Sequence, residues 1–113
     1  MKVTESRRDG IAVLRLDGEF DSFETTSVAE AFERCLAAGE PRVVMDLEGV
    51  SFANSTTIAY LIGAQRAARS RGGRLALARP RQFIRKTLHT LGLDQVFPIC
   101  DSVEQAVAQV RTG

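Results

Sequence analysis

Four polar residues in a row, Asn54-Ser55-Thr56-Thr57, stand between the apolar stretch Val43-Val44-Met45 and a run whose apolar positions Ile58, Leu61, Ile62 and Ala68 include helical spacings. Amide and hydroxyl side chains at a strand-to-helix junction accept the first free backbone N–H groups of the helix. A cluster of this kind is usually a cap and nothing more. Four candidates exceed what one cap needs, and the surplus is the main functional clue in the chain.

The other residue types that do chemistry are thinly supplied. The one histidine, His89, lies in a helical pattern with no nucleophile motif nearby, so a Ser-His-acid arrangement has no support. Cys35 and Cys100 are far apart in apolar contexts and read as buried free thiols rather than as a disulfide or a metal site. Gly72-Gly73 sits between a helix and a strand, where glycines end helices, and no phosphate-binding glycine loop occurs. No paired carboxylates or activated nucleophile mark an enzyme, and no cofactor is expected.

The 113 residues fit one domain, 1–113, and an apolar content of 44% is enough for a single core. No apolar run approaches the roughly 18 residues of a membrane span. The N-terminal residues lack the apolar segment of a secretory signal, so a cytoplasmic protein is expected. Net charge is +1, but residues 1–56 carry 6 basic and 11 acidic side chains, and residues 57–113 carry 9 and 3. Between Arg66 and Lys86 there are eight basic residues and no acidic one. That stretch is either a solvated face or a docking surface for an acidic partner. Direct nucleic-acid binding is disfavoured, because Phe83 is its only aromatic and no stacking series appears.

The elements that position the polar turn follow from periodicity and punctuation. Residues 3–8 and 11–17 read as a hairpin through Asp9-Gly10. The acidic stretch Asp17-Gly18-Glu19-Phe20-Asp21 reads as a turn or loop. Residues 25–38 read as a helix with the stripe Val28, Ala31, Phe32, Cys35 and Leu36, capped by Thr25, Thr26 or Ser27 and ended by Gly39. Residues 42–47 read as a central strand covered on both faces. The helix after Asn54–Thr57 runs to Gly72-Gly73, and 74–78 is a short strand broken by Pro80. Residues 81–91 read as a helix with Phe83, Ile84, Leu88 and Leu91 facing inward and Gly92 at its end. Val96–Ile99 is a short extended piece. Asp101 or Ser102 caps a last helix carrying Val103, Ala106, Val107 and Val110. The expected fold is α/β: a small mixed sheet of four to five strands with about four helices packed on it. Loops at the carboxyl ends of parallel strands are the usual functional place in such sheets, and Asn54–Thr57 is one of them.

The pattern Asp46-Leu-x-x-Val50-x-Phe52, followed by a small polar turn and an apolar helix, resembles the STAS domain of bacterial anti-sigma factor antagonists. The likeness extends to Asp17-Gly18-Glu19-Phe20-Asp21 and Leu91-Gly92-Leu93, and so to nearly the whole chain. Members typically carry Asp-Ser-Ser/Thr-Gly-Leu at the turn, and a partner kinase, itself the anti-sigma factor, phosphorylates the second hydroxyl. Aligned through Phe52, this chain reads Asn54-Ser55-Thr56-Thr57-Ile58. The resemblance makes Thr56 the phospho-acceptor, with Ser55 as the alternative. Asn54 stands where the family has Asp, which removes a charge beside the acceptor. Thr57 stands where it has Gly, which adds a β-branched side chain to the turn. The implied partner surface comprises Asp21, Asn54, Ser55, Thr56, Thr57 and Tyr60, with Arg66 on the same side of the helix.

The function this implies is a non-enzymatic module that binds an anti-sigma factor or regulatory serine/threonine kinase, is switched off by phosphorylation in the turn, and is reset where a phosphatase exists. The alternative is a non-phosphorylated scaffold, or a subunit of a lipid-transport ABC complex that uses the same surface.

Overall fold

The computed structural model describes residues 1–112. Five strands form one sheet in the order β1-β2-β3-β4-β5. The strands are β1 (Lys2–Arg8), β2 (Ile11–Phe20), β3 (Arg42–Ala53), β4 (Arg74–Ala78) and β5 (Ile99–Cys100). The helices are α1 (Thr25–Ala37), α2 (Ser55–Ser70), α3 (Gln82–Thr90) and α4 (Val103–Arg111), with a 3-10 turn at Leu93–Gln95. β1 and β2 are antiparallel, and the pairs β2–β3, β3–β4 and β4–β5 are parallel. The mixed α/β sheet with four helices agrees with the sequence expectation.

Strand alternation divides the core in two. Leu14, Leu16, Val43, Met45, Leu47, Leu75 and Leu77 point to the face covered by α1, α2 and α3. Ile11, Val13, Val44, Ala76 and Ala78 point to the face covered by α4, through Ala106, Val107 and Val110. Each large aliphatic side chain fully buried this way contributes about 1.5–3 kcal/mol. β3 lies at the centre because both its faces are apolar, as its continuous run requires. The hairpin turn has Asp9 and Gly10 at φ 52° and 78°, the pair of positive values a tight two-residue turn demands.

Several boundaries differ from the sequence reading. The stretch 17–20 is strand, not loop: β2 continues to Phe20, pairing with β3 as far as Ala53. A bulge between Arg15 and Asp17 makes this possible, and it needs Gly49, because a Cβ there would lie 2.8 Å from the backbone carbonyl oxygen of Leu16. None of Thr25, Thr26 and Ser27 caps α1. Its first turn follows a tight turn in which Asp21 Oδ1 accepts from the N–H groups of Phe23 (2.9 Å) and Glu24 (3.1 Å). Phe83 and Leu91 are exposed rather than inward, and only Ile84 and Leu88 of α3 are buried. Ser102, not Asp101, caps α4 by accepting from Gln105 N–H at 3.1 Å. Of Val96–Ile99, only Ile99 is in a strand.

Candidate functional site

The Asn54–Thr57 turn lies where β3 ends and α2 begins. The structure divides the four polar residues into two pairs with different duties. Asn54 is the N-cap, with extended backbone, and its Oδ1 accepts from Thr57 N–H at 3.0 Å. Thr57 reciprocates: its Oγ1 accepts from Asn54 N–H at 3.0 Å and donates to Asn54 C=O at 2.9 Å. This closed capping box satisfies two groups that helix geometry would leave unpaired. Thr57 is 0% exposed, so it is a structural cap and not the surface contact expected of it. A glycine has no hydroxyl with which to build this box, which gives Thr57 a local structural reason.

Ser55 and Thr56 are the other pair. Both are exposed, and neither hydroxyl has a hydrogen-bond partner among the described residues. They occupy the first two positions of α2, ahead of the helical ladder, which opens with Ile58 N–H on Asn54 C=O at 3.0 Å. The N–H groups of such positions point out of the helix end and favour an anion, and no acidic side chain sits in this first turn to oppose one.

The β2–α1 loop flanks the turn. Asn54 Nδ2 donates to Ser22 Oγ at 3.4 Å, so the loop and the turn touch directly. Asp21 is half-buried, and its Oδ1 organises the loop backbone. The Tyr60 ring, one turn along α2, packs edge-on against Phe20, with centroids 6.4 Å apart and planes at 74°. Its hydroxyl is occluded and has no hydrogen-bond partner, so the phenol tip is not presented for surface contact. Burial pushes the Tyr60 pKa up to about 12, with Glu33 adding a smaller electrostatic push. Arg66 is exposed on α2.

The basic stretch is largely consumed within the fold. Arg79 holds Asp46 and Glu48, and Arg81 donates to Glu48 C=O. Arg85 pairs with Asp101, while Arg71 and Arg74 donate to the carbonyls of Leu36 and Gln109. It therefore does not form one uncommitted cationic surface. Cys35 and Cys100 are buried free thiols, both pushed up in pKa by burial. His89 lies at the surface, with Nδ1 2.8 Å from Asp94. No cluster of metal-ligating side chains and no helix long and apolar enough to cross a membrane occurs among the described residues.

Sequence reasoning missed Gln65. It is 2% exposed, donates through Nε2 to the carbonyls of Leu75 (2.9 Å) and Val96 (2.8 Å), and accepts from Leu75 N–H (2.8 Å). It locks the helix carrying the turn to β4 and to the 3-10 segment. Its place on the buried stripe with Ile58, Leu61 and Ala68 was the available signal.

Comparison with known proteins agrees with this architecture. The family model described as the STAS domain matches residues 3–106. The candidate anti-sigma factor antagonist BtrV of Bordetella bronchiseptica is 30% identical over 117 residues, covering 100% of this chain and 97% of that protein. The anti-sigma-F factor antagonist RsfB of Mycobacterium tuberculosis is 26% identical over 111 residues, covering 98% and 90%. Among solved structures, the Bacillus cell fate determinant SpoIIAA in its phosphorylated form superposes with a TM-score of 0.74 at 21% identity, covering 96% and 98%. The unphosphorylated form of SpoIIAA, an anti-sigma factor antagonist, gives 0.81 at 22%, covering 99% and 98%. In sequence and in fold, the chain belongs to the STAS domain family.

Proposed function

We propose that this STAS domain is an anti-sigma factor antagonist that works by partner switching. It binds an anti-sigma factor or related serine/threonine kinase through the β3–α2 turn and the adjoining loop, and a phosphate on Thr56 ends that binding. The observation that carries the proposal is the division of the polar turn: Asn54 and Thr57 complete the cap, leaving the Ser55 and Thr56 hydroxyls exposed and without structural duty. The relatives named as antagonists, and the existence of a phosphorylated form of SpoIIAA, support the same direction.

The chemistry of the switch is electrostatic. Phosphorylation at Thr56 adds about −1.5 to −2 charges and three strong acceptor oxygens. The start of α2 tolerates them, because its first N–H groups and dipole favour an anion. A partner packed over the neutral turn does not accept the added bulk and charge. Binding is lost while the fold persists. The domain itself performs no catalysis, and the ATP belongs to the kinase.

Two variants test this. Thr56→Ala is expected to bind the partner and resist inactivation by it, with Ser55 mapped in parallel as the alternative acceptor. Thr56→Glu is expected to lose the partner while its melting temperature stays within about 2 °C of the parent. A Thr56→Glu protein that unfolds would make the turn structural and remove the proposal's support. The capping box gives Asn54 and Thr57 a structural role, and a Thr56 that stays unmodified with its partner bound would favour the non-phosphorylated scaffold or lipid-transport subunit instead.

A further inference from the structure

Phe23 is the most exposed large apolar side chain among the described residues, at 92%, against 43% for Phe52, 46% for Phe83 and 58% for Leu91. The backbone that carries it is well tied. Its N–H donates to Asp21 Oδ1 at 2.9 Å, and the next N–H, of Glu24, donates to the same oxygen at 3.1 Å. Thr25 Oγ1 closes the loop on Asp21 C=O at 3.2 Å. The preceding residue, Ser22, accepts from Asn54 Nδ2 at 3.4 Å. An aromatic ring standing almost wholly in water is therefore carried on a loop whose backbone is tied down, one residue from a direct contact with the turn that bears Ser55 and Thr56.

We infer that Phe23 is the anchor by which the switch partner recognises this antagonist, in an apolar pocket of that protein bordering the surface that covers the turn. This rests on the function proposed above and assigns it a specificity residue. A rigid aromatic buried at an interface gives much affinity for little ordering cost, and such residues dominate binding energy. The polar turn alone offers two small hydroxyls, a poor basis for telling one antagonist from another, whereas an aromatic knob requires a matching cavity. Thr56 then acts as the switch and Phe23 as the address. The partner this fits is a protein with an apolar socket beside a close-packed neutral surface, not a nucleic acid or a lipid.

The test places the photo-crosslinking residue p-benzoylphenylalanine at position 23, at position 52, where it replaces an exposed phenylalanine two residues before the turn, and at Gln109 on α4 as a remote control, in the full chain inside its native cells. Positions 23 and 52 are expected to trap the same kinase-like protein, and position 109 is expected not to. With that protein purified, Phe23→Ala is expected to weaken binding by about tenfold or more. Phe23→Tyr retains most of the affinity, and both variants keep the parental melting temperature. If position 52 traps the kinase and position 23 does not, or if Phe23→Ala binds within twofold of the parent, the anchor is refuted and the switch stands. If neither position 52 nor position 23 traps such a protein, the proposed function fails, and the anchor fails with it.

Discussion

Replacing Thr57 with valine separates the two pairs of polar residues in the turn. The substitution keeps the shape and β-branching of the side chain and removes only its hydroxyl. Thr57 Oγ1 accepts from Asn54 N–H at 3.0 Å and donates to Asn54 C=O at 2.9 Å, at a position 0% exposed. The variant leaves a partly buried backbone N–H without its acceptor, which costs about 1–3 kcal/mol. Unfolding entropy scales with chain length, and for 113 residues this corresponds to a melting-temperature loss of about 4–13 °C. The matched control is Thr56→Val, the same chemical change one residue earlier at an exposed hydroxyl with no internal partner. Its expected shift is within about 2 °C. Thermal unfolding followed by circular dichroism measures both. Equal losses, or a larger loss for Thr56→Val, would refute the assignment of the cap to Asn54 and Thr57 and of free hydroxyls to Ser55 and Thr56.

Other parts of the fold yield further outcomes. Gln65→Ala removes three hydrogen bonds, two buried ones to Leu75 and a partly buried one to Val96, and is expected to destabilise by about 2–4 kcal/mol in urea unfolding; a loss under about 1 would show that α2 is held by its apolar stripe alone. Arg79→Ala strips the 3% exposed Asp46 of its contacts at 2.6 and 3.2 Å, leaving Arg15 at 3.6 Å and the Glu48 N–H at 3.2 Å, and is expected to cost about 1–3 kcal/mol. Adding Asp46→Asn should recover part of that loss in a double-mutant cycle, and strict additivity would contradict the pairing. Tyr60, the one tyrosine in a chain without tryptophan, is expected to titrate near 12 in the folded protein and near its ordinary value of about 10 in urea, read by absorbance at 295 nm. Its folded pKa is raised, so its contribution to stability is complete below about 10 and is lost as pH rises towards 12. A native midpoint near 10 would place the ring in water.

The parts of the fold governed by local rules were legible in the sequence. Asp9-Gly10 has the turn chemistry of a tight hairpin, Val43–Met45 the continuous apolarity of a central strand, and Gly92 the positive φ that ends a helix. What escaped depends on relations between distant residues. β2 looked finished at Asp17 because Gly18 and Glu19 break the apolar alternation. That half of the strand is held by pairing with the overhanging end of β3 across the bulge at Gly49. Leu91 reads as inward by spacing from Ile84 and Leu88, but the helix ends at Thr90 and the chain turns away. Phe83 sits one residue off that stripe. At the site, four consecutive polar residues were visible, and the structure uses two of them in the cap. Which two would cap was not visible, because the choice rests on the reciprocal geometry of Asn54 and Thr57. Phe23 gave no periodic signal, since its position is set by an Asp21-centred turn rather than by a helix or strand.

Thr56, in the function proposed here, is a switch hydroxyl rather than part of the cap. The most direct measurement is the intact mass of the protein isolated from its native cells under growth and under stress, with peptide mapping across residues 43–66. The predicted result is a single phosphate on Thr56, or on its neighbour Ser55, whose occupancy changes with condition and whose presence excludes the partner from the isolated complex. A protein unmodified in every condition, with a partner still bound, would contradict the switch.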